Sequence, residues 1–386
     1  MKNIYCLNNI STVGLNALTK DYQVVDQVDN AHAILVRSAN MHEMNLPSSI
    51  LVVARAGAGV NNIPLDVYGK KGIVVMNTPG ANANAVKEMI IAGMFLASRD
   101  IFGGMSWVKE NKDDADISKT VEKVKAQFGG TEIYGKTIGI IGLGAIGLIL
   151  AQACHALGLK VVGYERNLEM LRTELLPPNT ILVNSKEELF PLCDFISLNV
   201  PFLSETKQMI NQKAFSQMKD GVIILNFARD QLVNDDDLEE AIKLNKVRAY
   251  VTDFPNQKTV KMDRVIAIPH LGASTEEAED NCAFMAANQV MKYINHGIIS
   301  KSVNYPELIV DPKKTNYRLA VLFENKQNLV EDMMKVIEKH VKTVHTYHAV
   351  NANYRYSLFD FDENQGELIQ AEINKLVGVN ASRIIK

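Results

Sequence analysis

The sequence predicts an α/β protein with two doubly wound parallel-sheet domains, followed by a small domain of order βαββαβ. Three observations predict this fold. Short apolar runs of strand type alternate with helical patterns, a glycine-rich turn follows one of these runs, and the pattern changes after Pro306. Near-continuous apolar strands separated by helices are typical of parallel sheets that are covered on both faces. At 386 residues, the chain is also too long for one ordinary core.

The apolar runs divide between two sheets. The predicted strands of the first sheet are residues 33–36, 51–54 and 73–76. Those of the second sheet are residues 137–141, 160–163, 195–198, 222–225 and 265–268. A helix near residues 84–99 ends the first domain, and the polar stretch 109–125 is expected to be a solvent-exposed excursion. A helical pattern at residues 276–296 is long enough to return to the first domain.

The third domain follows a different pattern. Its predicted elements are strands at residues 318–323, 343–350, 354–361 and 383–385, with helices at residues 328–340 and 366–377. The order βαββαβ is that of the split βαβ sandwich. We therefore predict three domains, made of residues 1–100 with 284–305, residues 101–283, and residues 316–386.

Composition limits the classes of function. A formal charge of −3 argues against a nucleic-acid partner, because such a partner usually requires a basic face. No apolar run approaches the roughly 20 residues of a membrane span, and the first residues lack the pattern of a signal peptide. The four cysteines include no CxxC pair, so neither a disulfide framework nor a metal site is expected. The composition predicts a soluble, cytoplasmic protein that binds no nucleic acid, membrane or metal.

A glycine-rich turn, GLGAIG at residues 142–147, follows a predicted strand and opens a helix. In dinucleotide-binding folds, the position of Gly142 permits the tight turn, that of Gly144 lets the backbone approach a pyrophosphate, and that of Gly147 allows close helix packing. Glu165 ends the next strand, where a carboxylate accepts hydrogen bonds from the adenosine ribose. Because a carboxylate there repels a 2′-phosphate, the sequence predicts NAD as the cofactor.

Two side chains are candidates for hydride-transfer chemistry. Such chemistry on an alcohol needs a base for the hydroxyl proton and a cation for the neighbouring oxygens. Arg229 follows the predicted strand 222–225, and His270 follows the predicted strand 265–268. Groups at the carboxyl ends of parallel strands face the crevice where ligands bind. An arginine there can equally be a surface residue, whereas a histidine after proline and before a run of small residues is harder to explain by packing.

Several further motifs occur in the order of a known family. They are RAGAGV at 55–60, NTPGAN at 77–82, GKTIGIIGLGAIG at 135–147, NFAR at 226–229, TDFP at 252–255 and PHLGAST at 269–275. Together they resemble the D-2-hydroxyacid dehydrogenases, and within them the branch that oxidises phosphoglycerate, over nearly the whole chain. The resemblance implies a flavodoxin-like substrate domain, a Rossmann NAD domain and a small domain similar to the regulatory ACT domains.

The resemblance also implies roles for individual residues. Arg229 would bind the substrate carboxylate and carbonyl oxygen, His270 would be the general acid/base, and Asp253 would contact the nicotinamide amide. Arg37 would grip a substrate phosphate at two points. The implied cofactor contacts are Gly142, Gly144, Ala145, Ile146, Gly147, Glu165, Val200, Phe227, Ala228, Asp253, Gly272 and Ala273. The implied substrate contacts are Arg37, Arg55, the backbone amides of Gly57, Ala58 and Gly59, and Asn82.

Two segments depart from the family pattern. Gln257 stands where the family places the glutamate that bonds to the histidine, so it can orient an imidazole but cannot stabilise imidazolium by charge. We therefore expect the pH–rate profile to be displaced toward lower pH. In the third domain, residues 323–328 keep only the Asn, at Asn325, of the His, Asn and Pro-Gly that bind serine in regulated relatives. This argues against inhibition by serine and leaves an assembly role, in which edge strands pair between chains.

The resemblance predicts an NAD-dependent oxidation of 3-phospho-D-glycerate to 3-phosphohydroxypyruvate, the first step toward serine, by a homodimer or homotetramer. The substrate would be a small phosphorylated 2-hydroxy acid. One alternative is a dehydrogenase for another D-2-hydroxy acid, acting on hydroxypyruvate or 2-oxoglutarate in the reductive direction. Another is a sensor that binds NADH without turnover, and the change at Gln257 gives it some support.

Overall fold

The computed structural model describes residues 1–326 and 328–386, which form two compact units. The first unit comprises Met1–Asn82 and Glu276–Lys386, and the second comprises Ala83–Thr275. Within the described ranges, no helix has the length and apolar character that crossing a membrane requires.

The first unit contains a five-stranded parallel sheet. Its strands are β1 (Lys2–Cys6), β2 (Tyr22–Val25), β3 (Ala33–Val36), β4 (Val52–Arg55) and β5 (Val74–Met76). Their spatial order, β2-β1-β3-β4-β5, is the flavodoxin-like doubly wound order. The three predicted strands of this sheet agree with β3, β4 and β5 to within one residue at each end. The strands β1 and β2 were not predicted, because most of their residues are partly buried or exposed.

Helices α1 (Thr12–Asn16), α2 (Leu65–Lys70) and α10 (Glu276–His296) also lie in this unit. Helix α10 packs on α1 and β4, so the predicted return to the first sheet is confirmed. A Cβ atom added at Gly14 of α1 would lie 2.5 Å from the backbone of Ala283, which shows how closely the two helices approach.

The second unit contains a seven-stranded parallel sheet. Its strands are β6 (Thr137–Ile141), β7 (Lys160–Tyr164), β8 (Ile181–Val183), β9 (Phe195–Leu198), β10 (Val222–Asn226), β11 (Val247–Thr252) and β12 (Val265–Ala267). The order β12-β11-β10-β9-β6-β7-β8 contains the Rossmann arrangement and adds one strand at the edge. All five predicted strands agree to within one residue. The other two were missed because β8 is largely exposed and Arg248 interrupts the apolar pattern of β11.

The helices of this unit are α3 (Ala83–Ser98), α4 (Ile101–Glu110), α5 (Ile117–Val124), α6 (Ala145–Ala156), α7 (Lys186–Leu189), α8 (Gln212–Gln217) and α9 (Asp235–Lys243). The polar excursion is thus partly helical, and no residue of α4 or α5 is buried. The predicted boundary at residues 100 and 101 differs from the unit boundary, because α3 packs on α6 and on the second sheet. At Gly93 of α3, an added Cβ would lie 3.0 Å from Val251 and 3.2 Å from Phe227.

The last part of the chain forms an antiparallel sheet with the predicted βαββαβ order. Its elements are β13 (Tyr317–Glu324), α11 (Leu329–Ile337), β14 (His345–Val350), β15 (Tyr354–Phe361), α12 (Gly366–Ile373) and β16 (Val379–Ile385). The spatial order is β14-β15-β13-β16. Alternate residues of β13 face two cores: Leu319 and Val321 pack with α11 and α12, whereas Ala320 and Leu322 pack with the first sheet and α10. This small sheet is therefore grouped with the first unit.

A buried ion pair ties this sheet to the end of α10. Arg318 and Asp360 are register partners on β13 and β15, and their side chains are 1% and 4% exposed. Two parallel hydrogen bonds join them, from Nε to Oδ1 at 2.6 Å and from Nη2 to Oδ2 at 2.7 Å. Arg318 also donates to the carbonyl oxygens of His296 and Asp311. Both charges are thus paired and hydrogen-bonded, which is what makes burial of a charge tolerable.

We expect Arg318→Leu to destabilise the first unit by about 3 to 5 kcal/mol, because it leaves Asp360 buried without a counter-charge. Replacing both residues with leucine should recover most of that loss. Lys335→Leu is the matched control, since it removes the exposed ion pair with Asp332 and should cost about 1 kcal/mol or less. Urea unfolding measures all three. A double variant less stable than Arg318→Leu would contradict the account.

Candidate active site

The glycine turn has one open position and two crowded ones. An added Cβ at Gly142 would lie 2.7 Å from the carbonyl oxygen of Asn199, and one at Gly147 would collide with the carbonyl oxygen of Gly142. Gly142 also has a φ of +93°, which favours glycine. At Gly144 an added Cβ meets no atom of the described residues within 4 Å. Packing therefore requires the first and third glycines, while the second faces the open space that a pyrophosphate would need.

The first turn of α6 offers hydrogen-bond donors at this place. Gly144 is the N-cap residue, and no described side chain caps the helix there. The amides of Ala145 and Ile146 consequently lack partners within the helix, and the helix dipole favours an anion beside them. The residues present fit the pyrophosphate of a dinucleotide.

Glu165 lies against the same turn. Its Oε2 accepts a hydrogen bond from the amide of Leu143 at 2.9 Å, and its Oε1 accepts one from Asn167 at 3.2 Å. Each carboxylate oxygen has capacity for a further hydrogen bond, so the group fits a ribose diol. The neighbouring Arg166 forms an ion pair with Glu205.

We expect Glu165→Gln to reduce the preference for NADH over NADPH by about tenfold or more, because it removes the charge that repels a 2′-phosphate. The binding constants of the two cofactors, measured by fluorescence titration, test this. Glu169→Gln, a change of the same charge on the neighbouring 3-10 turn, serves as the control. An unchanged ratio for Glu165→Gln would show that the carboxylate does not select the cofactor.

The other predicted cofactor contacts lie at the carboxyl ends of the strands in this sheet. Val200 follows β9, and its Cγ1 would lie 2.8 Å from a Cβ added at Gly142. Phe227 and Ala228 follow β10, while Gly272 and Ala273 follow β12. Since these ends share one edge of a parallel sheet, the structure brings the predicted residues to the edge that carries the glycine turn.

Arg229 and His270 meet at one aromatic ring. The guanidinium carbon of Arg229 lies 5.2 Å from the ring centroid of Phe254, and the imidazole of His270 lies 4.6 Å from the same centroid. The contact with Arg229 has cation–π geometry. Burial lowers the pKa of the Arg229 guanidinium, which nevertheless stays charged near neutral pH. The two predicted residues are therefore neighbours, and Phe254, which the sequence analysis did not single out, joins them.

Asp253 holds the backbone beside His270. Its carboxylate is almost fully buried and accepts hydrogen bonds from the amides of Leu271, at 2.7 Å, and Gly272, at 2.8 Å. His270 itself has a φ of +53°, a left-handed conformation that is uncommon outside glycine. Burial raises the pKa of Asp253, and the two amides and the charge of His270 act in the opposite direction. Asp253 thus fixes the two residues after the histidine and interacts electrostatically with it.

Asn226 fixes the segment that carries Arg229. Its side chain is fully buried, and its Nδ2 donates to the carbonyl oxygen of Arg229 at 2.8 Å and to Oη of Tyr250 at 2.9 Å. Its Oδ1 accepts from the amide of Ala228 at 3.2 Å. Asn226 lies in the NFAR motif, and no role was predicted for it; the signal in the sequence was a polar residue at the end of an apolar strand.

Gln257 is not brought to His270. It lies exposed in a turn, and it makes no hydrogen bond to any residue that the structure describes. The next residue, Lys258, forms an ion pair with Asp236. The carboxylate that interacts with His270 belongs to Asp253 instead. The predicted role of Gln257 in orienting the imidazole therefore gains no geometric support.

The predicted substrate contacts cluster in the first unit, after β4. The amide of Gly57 donates to the carbonyl oxygen of Arg55 at 2.9 Å and to Oγ1 of Thr78 at 2.7 Å, so it is already used. The amides of Ala58 and Gly59 donate to no other described group, and successive amides of this kind suit an anion. Two of the three predicted backbone donors thus remain available. Asn82 makes no hydrogen bond within the described residues.

Arg37 is held by its backbone. The Oδ1 of Asn8 accepts hydrogen bonds from the amides of Arg37, Ser38 and Ala39, at 3.1, 3.2 and 2.9 Å. Nε of Arg55 donates to the carbonyl oxygen of Arg37 at 2.9 Å. The guanidinium of Arg37 is partly exposed and is therefore accessible to an anion.

Comparison with known proteins was consistent with this geometry. Residues 91–272 match the family described as D-isomer specific 2-hydroxyacid dehydrogenase, NAD binding domain. A D-3-phosphoglycerate dehydrogenase of Methanocaldococcus jannaschii is 32% identical over 75% of this chain and 55% of its own length. One of Haemophilus influenzae is 29% identical over 85% of this chain and 79% of its own length. The chain spans only 55% and 58% of the two archaeal relatives that it matches.

Solved structures share the fold. An NAD+-bound 3-phosphoglycerate dehydrogenase of Entamoeba histolytica superposes with a TM-score of 0.60 at 24% identity, covering 78% of this chain and 98% of the other. A glyoxylate reductase of Paecilomyes thermophila gives a TM-score of 0.63 at 23% identity, with the same coverages.

The parallel sheet, the glycine turn and the acid at the end of β7 define a dinucleotide-binding domain of the Rossmann type. The residues that match the family description, which names an NAD-binding domain, lie in this domain. Residues 91–272 form a D-isomer specific 2-hydroxyacid dehydrogenase NAD-binding domain.

Proposed function

We propose that this chain catalyses the NAD-dependent oxidation of 3-phospho-D-glycerate to 3-phosphohydroxypyruvate, the first step toward serine. The observation that carries the proposal is the contact of Arg229 and His270 with one ring, at the sheet edge that bears the glycine turn. A cation beside a proton acceptor is what oxidation of a 2-hydroxy acid requires. The names of the archaeal and bacterial relatives support the choice of substrate.

The proposed mechanism assigns each side chain a task. The glycine turn would hold NAD, which would supply the acceptor for the hydride from C2 of the substrate. Arg229 binds the substrate carboxylate and the oxygen on C2, where it offsets the developing charge. His270 accepts the hydroxyl proton. Asp253 keeps the imidazole in position through Leu271 and Gly272, and its oxygens have lone pairs left for the nicotinamide amide.

The first unit supplies the proposed recognition groups. The amides of Ala58 and Gly59 bind the substrate carboxylate, and Arg55 supports the loop on which Arg37 lies. Arg37 binds the phosphate, for which a planar guanidinium is suited because it can donate two parallel hydrogen bonds.

Arg37→Ala tests the substrate assignment. We expect the KM for 3-phosphohydroxypyruvate to rise about 10- to 100-fold, because one charge-assisted contact with phosphate is lost. The KM for hydroxypyruvate, which lacks the phosphate, should stay the same. Arg172→Ala, which changes an exposed arginine of the second unit, is the control. Initial rates of NADH oxidation measure both. An equal effect on both substrates, or a parent enzyme that prefers 2-oxoglutarate, would point to another D-2-hydroxy acid.

The sensor alternative has one observation in its favour: Gln257 is exposed and makes no hydrogen bond to His270. Tight NADH binding without turnover on any of these 2-oxo acids would support it.

We also propose that the chain forms a homodimer or homotetramer, which the exposed Phe102 and Met105 on α4 support. Light scattering measures the mass of the assembly. The four free cysteines support a cytoplasmic location. Burial raises the pKa of the Cys154 and Cys193 thiols to about 12.

A further inference from the structure

The guanidinium of Arg37 is already paired with a carboxylate of this chain. Its Nη2 lies 2.5 Å from Oε1 of Glu279, in the first turn of α10, and each side chain is 40% exposed. An ion pair this exposed contributes little to the stability of a fold. The ion pair has a larger effect on the binding of an anion at the Arg37 guanidinium, because the Glu279 carboxylate repels the anion.

The backbone that carries the arginine is fixed. The hydrogen bonds from its amide to Asn8 and from Arg55 to its carbonyl oxygen fix its backbone. Only the side chain can move. The charges of Arg55, Arg37 and Glu279 all act on the pKa of the nearby Cys282 thiol. The two arginines and the glutamate thus share one small region of the first unit.

The glutamate is also held in place. The next residue of α10, Asp280, accepts a hydrogen bond from the hydroxyl of Ser11. Further along the helix, Ala283 packs directly against Gly14 of α1, where no Cβ would fit. Because α10 cannot move away from α1 without breaking these contacts, the Glu279 carboxylate stays beside Arg37.

We propose that Glu279 is a specificity-determining residue that competes with the substrate phosphate for Arg37, and so weakens the binding of phosphorylated ligands. This inference rests on the phosphate role of Arg37 proposed above. A phosphate monoester carries a charge of about −1.5 to −2 near neutral pH, so the carboxylate repels it strongly. A neutral hydroxymethyl group in the same position is not repelled. Moderate affinity for the phosphate favours rapid release of the phosphorylated product.

The test is Glu279→Gln, with Glu277→Gln as the matched control. Both variants remove one negative charge from the first turn of α10, but Glu277 is exposed and forms no ion pair with a described residue. For Glu279→Gln we expect the KM for 3-phosphohydroxypyruvate to fall about tenfold and the KM for hydroxypyruvate to change by less than about twofold. Glu277→Gln should change neither value by more than about twofold. An unchanged or raised KM for 3-phosphohydroxypyruvate in Glu279→Gln overturns the proposal.

Arg37→Ala separates a failure of this proposal from a failure of the proposed function. If Arg37→Ala leaves the KM for 3-phosphohydroxypyruvate unchanged, the phosphate contact itself is wrong, and the competition falls with it. If Arg37→Ala raises that KM while Glu279→Gln does not lower it, only the competition is wrong. Inorganic phosphate, used as an inhibitor, gives a second measurement. Its inhibition constant should fall about tenfold in Glu279→Gln and stay constant in Glu277→Gln, and equal values in both variants would overturn the proposal.

Discussion

His270→Ala is expected to lower kcat by about 100- to 10,000-fold, because a positioned general base contributes that much to proton transfer. The variant should bind NADH with the parent affinity, since the imidazole contacts Phe254 and is not part of the glycine turn. Binding by fluorescence titration and turnover by NADH oxidation give the two quantities separately.

The matched control for this prediction is His155→Ala. His155 is an exposed residue near the end of α6, so its removal should leave both kcat and NADH binding unchanged. If His270→Ala kept more than about a tenth of the parent kcat, proton transfer would have to be assigned to another group.

Gly144→Val should weaken NADH binding by about 100-fold or more without destabilising the protein. Gly144 has an extended backbone, with a φ of −73°, and an added Cβ meets no atom within 4 Å in the part of the chain that the structure describes. The side chain would instead occupy the space that a pyrophosphate needs, and hydrogen bonds to a charged group of this kind are worth about 1.5 to 3 kcal/mol each. The affinity for NADH and the urea midpoint measure the two effects.

Gly147→Ala provides the contrast. Its added Cβ would collide with the carbonyl oxygen of Gly142, and a backbone atom cannot move aside as the end of a flexible side chain can. We expect a lower urea midpoint for Gly147→Ala than for Gly144→Val. Equal losses of stability in the two variants would show that the space at Gly144 is not open, and an unchanged affinity for NADH in Gly144→Val would show that it is not a ligand site.

The buried parallel strands were predicted well because both of their faces are apolar, so each strand is a continuous apolar run in the sequence. Strands β3, β6 and β9 were placed at their observed ends. Edge strands such as β2 and β8 were missed, since their exposed residues remove the apolar signal that the prediction used.

The place of the small C-terminal sheet could not be read from the sequence. Its strand β13 has the alternation of a sheet with two covered faces, but the pattern does not say what covers the second face. The position of α3 was missed for the same reason: a helix that follows one sheet in the chain can pack on another. In both cases the tertiary partner, rather than the local pattern, decides the domain.

At the candidate active site, spacing and strand ends predicted Arg229, His270 and the glycine turn. The spacing of residues could not show that the amide of Gly57 donates to Oγ1 of Thr78. Nor could it show that Phe254 contacts both Arg229 and His270. Hydrogen-bond partners and ring contacts depend on residues far apart in the chain.

The most direct test of hydride transfer at Arg229 and His270 uses NADH with deuterium at both C4 positions, together with 3-phosphohydroxypyruvate. The proposed mechanism predicts 3-phospho-D-glycerate with one deuterium at C2, formed by the parent chain and by His155→Ala, and strongly reduced in His270→Ala. Product without deuterium at C2, product of the L configuration, or no product while NADH binds tightly would contradict the account.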